Sequence, residues 1–329
     1  MPVAELAFAP GIDAYEPSHR GEPILEVRNL AVAVDDGLAV ENVDLSLEAG
    51  RTHCLVGESG CGKSLTCLAL MGLLPPGARG VSGNLRMKGR SGAIPEKGPP
   101  EGLAMIYQDA TASLDPLMTV GRQIVEALPA DVPRRARRAE AEDLIAQVGI
   151  PHARARFESY PHELSGGMNQ RIAIAIALAA RPSVLLADEP TTALDVTVQA
   201  RILDLMLEFQ QSTGLAILFV THDLGVVAQI AHDVSVMYCG EIVESGPVTD
   251  LFAAPRHPYS RGLVECLPRL SRQTERLESI AGIVPPLQAR PTGCRFASRC
   301  TRADDLCSTQ RPCLERRGNT GAVACFNPL

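Results

Sequence analysis

Eight residues, Gly57-Glu58-Ser59-Gly60-Cys61-Gly62-Lys63-Ser64, have the spacing G-x-x-x-x-G-K-[ST] between a short apolar stretch and a run of helical periodicity. Glycines in such a loop let successive backbone N–H groups turn toward one point. The following helix adds the positive end of its dipole. Lys63 and Ser64 then stand where an ammonium reaches β- and γ-phosphates and a hydroxyl reaches Mg²⁺. Further on, Val184-Leu185-Leu186-Ala187 runs into Asp188 and Glu189. Carboxylates at the carboxyl end of an apolar strand can hold Mg²⁺ through oxygen and polarise a water. Alone, the pair would suit a strand running into a helix cap; the phosphate loop upstream favours the chemical reading. Leu164-Ser165-Gly166-Gly167-Met168 opens another helical run and offers a second anion-binding end, although in isolation it reads as an ordinary serine cap. His222 follows the apolar run Ala216–Val220 and is a candidate γ-phosphate contact, against the commoner structural role of a lone histidine.

Certain elements must carry these residues. Thr52–Val56 reads as a strand and Ser64–Leu74 as a helix stopped by Pro75-Pro76, so the loop sits at a strand-to-helix turn. Upstream, alternating runs from Ile24 to Leu47, broken by Asp35-Asp36-Gly37, predict antiparallel strands with a hairpin. Gly77–Pro100 is rich in Gly, Pro and Ser and predicts loops around a short strand, followed by a buried strand at Leu103–Tyr107. Leu117–Leu128, Arg134–Val148 and Gly166–Ala180 read as helices. Val184–Ala187 and Ala216–Val220 are continuous apolar runs of the kind found in covered parallel strands, with a helix at Val196–Gln211 between them. The expected fold class is α/β with a helical insertion at about 109–180. Prolines from Pro255 to Pro291 punctuate a loop-rich end, and residues 1–23 read as a frayed leader.

The chain has 329 residues, 46% hydrophobic and 21% charged, enough for one large domain and a smaller appendage. Its longest clean apolar run is Ile172–Ala180, well short of the roughly 20 residues a membrane span needs, and no signal-like start is present. A chain that is neither exported nor membrane-spanning is expected. The net charge of −7 argues against a broad grip on nucleic acid. From Arg256 onward, however, 12 arginines face 6 acidic residues, a net of +6. Ten cysteines without an export signal predict reduced thiols rather than a disulfide scaffold, and five of them fall in the last 36 residues. Arg134-Arg135-Ala136-Arg137-Arg138, followed by Glu140, Glu142 and Asp143, reads as a solvated helix face. A helix start should lower the thiol pKa of Cys61, but bound nucleotide would shield it, and an inert thiol is the plainer reading.

Together these motifs resemble the nucleotide-binding subunit of an ATP-binding cassette (ABC) transporter, from about Ile24 to the C-terminus. Gly57–Ser64 resembles the family's Walker A, Gln108 its Q-loop, Leu164–Met168 its signature, Val184–Glu189 its Walker B, Ala193-Leu194-Asp195 its D-loop and His222 its switch histidine. The resemblance implies an ABC ATPase domain over 24–255, with an antiparallel β subdomain and a helical subdomain, and a small Cys-rich extension over 256–329. It implies that Gly57, Ser59, Gly60, Cys61, Gly62, Lys63, Ser64 and Leu65 hold the phosphates of ATP. Ser64, Gln108 and Asp188 would serve Mg²⁺, Glu189 would be the catalytic carboxylate, and His222 and Gln108 would assist it. Such subunits work as head-to-tail dimers, so Ser165, Gly166, Gly167 and Asp195 would serve the ATP of a second ATPase subunit, identical or sister.

Tyr160 to Met168, His257-Pro258-Tyr259-Ser260, Ile283-Val284-Pro285-Pro286-Leu287 and the cysteine-rich end narrow the resemblance to oligopeptide, dipeptide and nickel importer ATPases. This implies two permease partners, an extracytoplasmic solute-binding protein acting through them, and a peripheral place on the cytoplasmic face of the membrane. The cargo would be peptide, with nickel or another small solute as the alternative. A soluble, non-transport ABC ATPase is the competing class, disfavoured by a single cassette without sustained heptads. An ATP-binding redox regulator without turnover is disfavoured by Glu189.

Two departures stand out. Val34 takes the place where the family usually stacks an aromatic ring on adenine, and Asn169 stands where related signatures often carry arginine, removing a charge near the dimer interface. Cys294, Cys300, Cys307 and Cys325 form a four-thiolate set with Cys313 left over, resembling a pattern that holds a [4Fe–4S] cluster in some relatives. Thiolate chemistry also allows zinc or free thiols, and Arg295, Arg299 and Arg302 interleave the set to offset negative charge.

Overall fold

The computed structural model describes residues 22–192, 194–267, 280–316 and 321–329; the expected leader up to Gly21, Ala193 of the D-loop and Pro268 lie outside them. The chain divides into two units. The first comprises residues up to Glu48, Thr52–Lys97 and Val220 onward, so the extension belongs with the antiparallel strands. The second comprises Ala49–Arg51 and Gly98–Phe219.

In the first unit, four antiparallel strands lie in the order Gly37–Leu47, Leu25–Val34, Ala78–Met87 and Arg90–Ala93. The hairpin expected at Asp35-Asp36-Gly37 pairs Val34 with Gly37 and Leu25 with Leu47. Alternation buries Leu25, Val27, Leu30, Val32, Val43 and Leu45 and turns the polar residues outward. The ten-residue strand Ala78–Met87 replaces the loops and short strand expected at Gly77–Pro100. Its first five residues are mostly exposed, so the apolar alternation that marks a half-buried strand is absent from the sequence there, and pairing with Leu25–Val34 creates the strand.

A second set of strands in this unit runs Glu315–Arg316, Ala322–Val323, Glu241–Pro247, Asp233–Tyr238 and Thr52–Val56, with Thr52–Val56 parallel to Asp233–Tyr238. Leu55, Val56, Val236 and Tyr238 are fully or almost fully buried, which fixes the carboxyl end of Thr52–Val56 as a rigid base for the loop that follows.

In the second unit, Ala216–Thr221, Val184–Asp188 and Leu103–Ile106 are neighbours in that order, and Leu103–Ile106 runs parallel to Val184–Asp188. Ala216–Thr221 and Val184–Asp188 are buried at every position, as continuous apolar strands must be. Helices Val120–Ala127, Arg134–Gln147 and Gly166–Ala179 pack on one another through Ile124, Ile145, Ile172 and their neighbours. Within the basic run, Arg137 donates to the carbonyls of Val125, Pro129 and Val132, and Arg138 pairs with Glu142 and Glu158 while lying over the Phe157 ring. These two charges serve the fold.

Candidate functional site

Gly57–Gly62 joins the strand Thr52–Val56 to the helix Lys63–Met71. Two glycines are dictated by their surroundings. A Cβ on Gly57 would lie 2.2 Å from the carbonyl oxygen of Met237, and Gly62 has φ +110°, a left-handed conformation that side chains rarely adopt. The loop is also tied down by the N–H of Gly240, which donates to the carbonyl of Cys61 at 2.8 Å. Lys63, 5% exposed, curls back and donates Nζ to the carbonyls of Gly57 (2.8 Å) and Glu58 (3.1 Å). Ser59 and Gly60 are exposed, and Ser64 and Leu65 are half-buried at the helix start. Burial pushes the Cys61 thiol up, with Lys63 pulling the other way, so burial outweighs the lowering expected from the helix start.

Beneath this loop lies an aromatic cluster that the motifs did not reveal. Tyr238, Tyr259 and Phe296 meet with ring centroids 4.7–5.4 Å apart, and His257 joins Phe296 at 5.7 Å. The Tyr259 hydroxyl accepts the N–H of Glu58 at 2.9 Å. His257 accepts the N–H of Tyr259 at Nδ1, its backbone N–H donates to the Glu244 carboxylate, and burial pulls its pKa down to about 3. Burial likewise pushes Tyr238 up to about 12 and Tyr259 higher still. Arg299 reaches Glu58 from the extension with both terminal nitrogens, and that bond holds its own pKa above the ordinary guanidinium value. The signal that could have found this contact is Glu58 itself, a carboxylate inside a phosphate loop.

Beside Ser59 and Gly60 opens a cleft of about 320 Å³, lined by Val34, Ala39, Val284, Pro285, Pro286, Leu287 and Arg290. Arg290 pins its wall by donating to the carbonyls of Leu38 (2.7 Å) and Ala39 (3.2 Å). His222 belongs to this unit and is exposed just past the strand Ala216–Thr221, next to Asp223, which caps the following helix.

The second unit brings Gln108 and Glu189 together, with Nε2 donating to Oε2 at 3.3 Å. Glu189 has φ +47°, uncommon for a residue with a side chain, and Thr192 Oγ1 donates to its carboxylate at 3.2 Å. Asp188 ends its strand as a carboxylate only 4% exposed. Ser165 caps the helix Gly166–Ala179, accepting the N–H of Met168 at 3.3 Å, while Ser165 and Gly166 remain exposed. Asn169 is turned inward at 3% exposure and donates to the carbonyl of Pro161 at 3.0 Å, so in this chain the position ties the helix start to the segment before it. Asp195 Oδ1 accepts the N–H groups of Thr197 and Val198 as a helix cap.

In the extension, the N–H of Cys294 donates to the carbonyl of Cys307 at 2.8 Å. The Cys294 thiol is pushed up to about 11, first by burial and then by the nearby Cys307, Cys325 and Cys300. Among the described residues, no group of three or more His, Cys, Asp or Glu is drawn close enough together to hold a metal ion, the four-thiolate set suggested by the resemblance included.

Two family models match the chain: the ABC transporter over residues 40–192 and the C-terminal region of oligopeptide/dipeptide transporters over residues 243–307. The dipeptide transport ATP-binding protein of Escherichia coli is 43% identical over 317 residues, covering 93% of this chain and 97% of that protein. A peptide import ATP-binding protein of Brucella melitensis is 46% identical over 319 residues, covering 89% and 94%. The oligopeptide transport ATP-binding protein AppD of Bacillus subtilis is 43% identical over 296 residues, covering 88% and 90%. Among solved structures, a dimeric ATP-binding cassette with ADP and Pi bound aligns with a TM-score of 0.59 at 23% identity, over 68% of this chain and 98% of that one. CbiO1 of Clostridium perfringens aligns with the same score at 26% identity, over 71% and 92%.

Proposed function

Because the chain belongs to the ATP-binding subunits of ABC transporters, in the oligopeptide/dipeptide branch, we propose that it binds and hydrolyses ATP to power import of di- and oligopeptides. The observation that carries the ATPase reading is the strand-to-helix loop Gly57–Ser64, with its glycines forced by close contacts and Lys63 held over it. The peptide cargo rests on the relatives' names and on the matching C-terminal region.

In this reading Lys63 and the loop N–H groups hold the phosphates, and Lys63 exchanges two carbonyl acceptors for phosphate oxygens. A buried carboxylate at Asp188 and a hydroxyl at Ser64 are hard oxygen donors and fit Mg²⁺, which would neutralise charge on the phosphates. Glu189 polarises the attacking water, steadied by Gln108 and Thr192, and His222 contacts the γ-phosphate. The cleft lined by Val34, Pro285, Pro286 and Leu287 takes the adenine, supplying by apolar contact what an aromatic ring supplies in relatives. The exposed helix start at Ser165, Gly166 and Gly167, together with Asp195, serves the ATP of a second ATPase subunit. The ATPase pair docks under two permeases at the cytoplasmic face of the membrane, and a solute-binding protein feeds the permeases.

The cysteine pattern Cys294, Cys300, Cys307 and Cys325, whose first three members lie in the matched oligopeptide/dipeptide C-terminal region, supports the finer reading that they ligate a [4Fe–4S] cluster, or zinc, when one is supplied. Iron and acid-labile sulfide in anaerobically prepared protein, against zinc or neither, test it. The main reading is tested by Glu189→Gln in the assembled transporter. Turnover should fall roughly 10²- to 10⁴-fold while MgATP still binds. Undiminished turnover removes Glu189 from its role.

A further inference from the structure

Glu58 is the second residue of a loop built to receive a polyanion, where a free carboxylate would repel the ligand. It is not left free. Arg299 Nη1 donates to Glu58 Oε2 at 2.6 Å and Nη2 to Oε1 at 3.0 Å, the two-pronged geometry in which guanidinium and carboxylate match best. The remaining donors of Arg299 are engaged too: Nε with the carbonyl of Ala281 at 2.9 Å, Nη2 with that of Ile280 at 3.2 Å, and Nη1 with the Tyr238 hydroxyl at 3.4 Å. The Arg299 side chain is only 3% exposed and its guanidinium lies over both the Tyr238 and Phe296 rings, 5.8 and 5.9 Å from their centroids. A charge buried that deeply is costly unless it is paired, and Glu58 is its one carboxylate partner among the described contacts. The backbone of Glu58 is held as well, by the Tyr259 hydroxyl.

We propose that Arg299 is a positioning residue of the nucleotide site: it neutralises and anchors Glu58, so that the phosphate loop presents its N–H groups without a competing negative charge. The C-terminal extension is thereby part of the ATP site and not an appendage to it. This inference rests on the ATP-binding reading above. Lysine would not replace the arginine fully, because a point charge cannot form the two parallel bonds.

The test is titration of the full-length chain with a fluorescent ATP analogue and Mg²⁺. Arg299→Ala should weaken binding roughly ten- to hundredfold, the expected effect of one unpaired charge near a polyanion. Arg299→Lys should recover part of the loss. Glu58→Gln should bind more tightly than the unaltered chain, although it breaks the same ion pair, and the double variant should return to within about threefold of the unaltered chain. In the assembled transporter the Arg299→Ala effect should appear in KM, with kcat within about twofold. If Arg299 serves only to hold the extension together, Glu58→Gln weakens binding and the double variant is no better than Arg299→Ala; either result overturns the proposal. Should Arg299→Ala fail to fold, the direction of the Glu58→Gln change decides by itself. An unaltered chain that does not bind the analogue removes the ATP reading itself; tight binding by Arg299→Ala removes this inference alone.

Discussion

Two helix starts in this chain present glycines and backbone N–H groups, and their surroundings differ sharply. The loop before Lys63 is crowded: Met237 beneath Gly57, Tyr259 and Arg299 on Glu58, and the N–H of Gly240 on Cys61. The start at Ser165 is bare; an added Cβ on Gly166 meets nothing within 4 Å, and the Ser165 cap is its main local restraint. Both are anion sites in the proposed function. The first is finished inside the chain, with rigidity supplied by distant residues. The second has its N–H groups poised but nothing closing over them, the condition of a surface whose ligand arrives with another subunit.

That contrast is most easily broken at Gly57. Gly57→Ala should abolish MgATP binding and lower the melting temperature, because a Cβ 2.2 Å from a carbonyl forces the loop or the strand Asp233–Tyr238 to move. Next comes Tyr259→Phe, which leaves the Glu58 N–H without its acceptor; about 1–3 kcal/mol of stability should be lost in denaturant titration, with weaker ATP binding alongside. A third test uses pH. His257 is neutral in the fold down to about pH 3, whereas the unfolded chain takes up its proton near 6.5. Its contribution is therefore complete above pH 6.5 and is lost as pH falls through that window, at up to about 1.4 kcal/mol per unit. Thermal melts of His257→Gln should lose that part of the acid slope. Smaller again, Ser165→Ala should cost about 1 kcal/mol through the lost cap, without altering ATP binding by the isolated chain. Gly166→Ala should raise stability by up to about 1 kcal/mol, while turnover of the assembled transporter falls as the added methyl narrows the open end. If Gly166→Ala destabilised the isolated chain as Gly57→Ala does, the two starts would not differ as described.

Much of this architecture is legible in the chain because its signals are local. The phosphate loop is eight consecutive residues, Val184–Ala187 and Ala216–Val220 are unbroken apolar runs, and the Ser165 hydroxyl lies three residues from the N–H it accepts. The strand Ala78–Met87 was not legible, because its largely exposed first half needs no apolar alternation and its pairing is decided by Leu25–Val34. That Asn169 would be tied to Pro161 was not legible either, because a helix periodicity does not say which neighbour will cover a polar side chain.

By itself, then, the amino-acid sequence determined the chemistry available: which residues have the spacing of a phosphate loop, which carboxylates follow a strand, where helices start. Those depend on spacings of one to eight residues, over which backbone geometry is nearly rigid. Only the tertiary structure decided how that chemistry is supported. Glu58 and Arg299 stand 241 positions apart, and Gly57 and Met237 meet only because two parallel strands bring them into contact. Pairings at that separation leave no periodic trace in the chain, since they are set by the packing of whole elements and by the need to match a buried charge with its opposite.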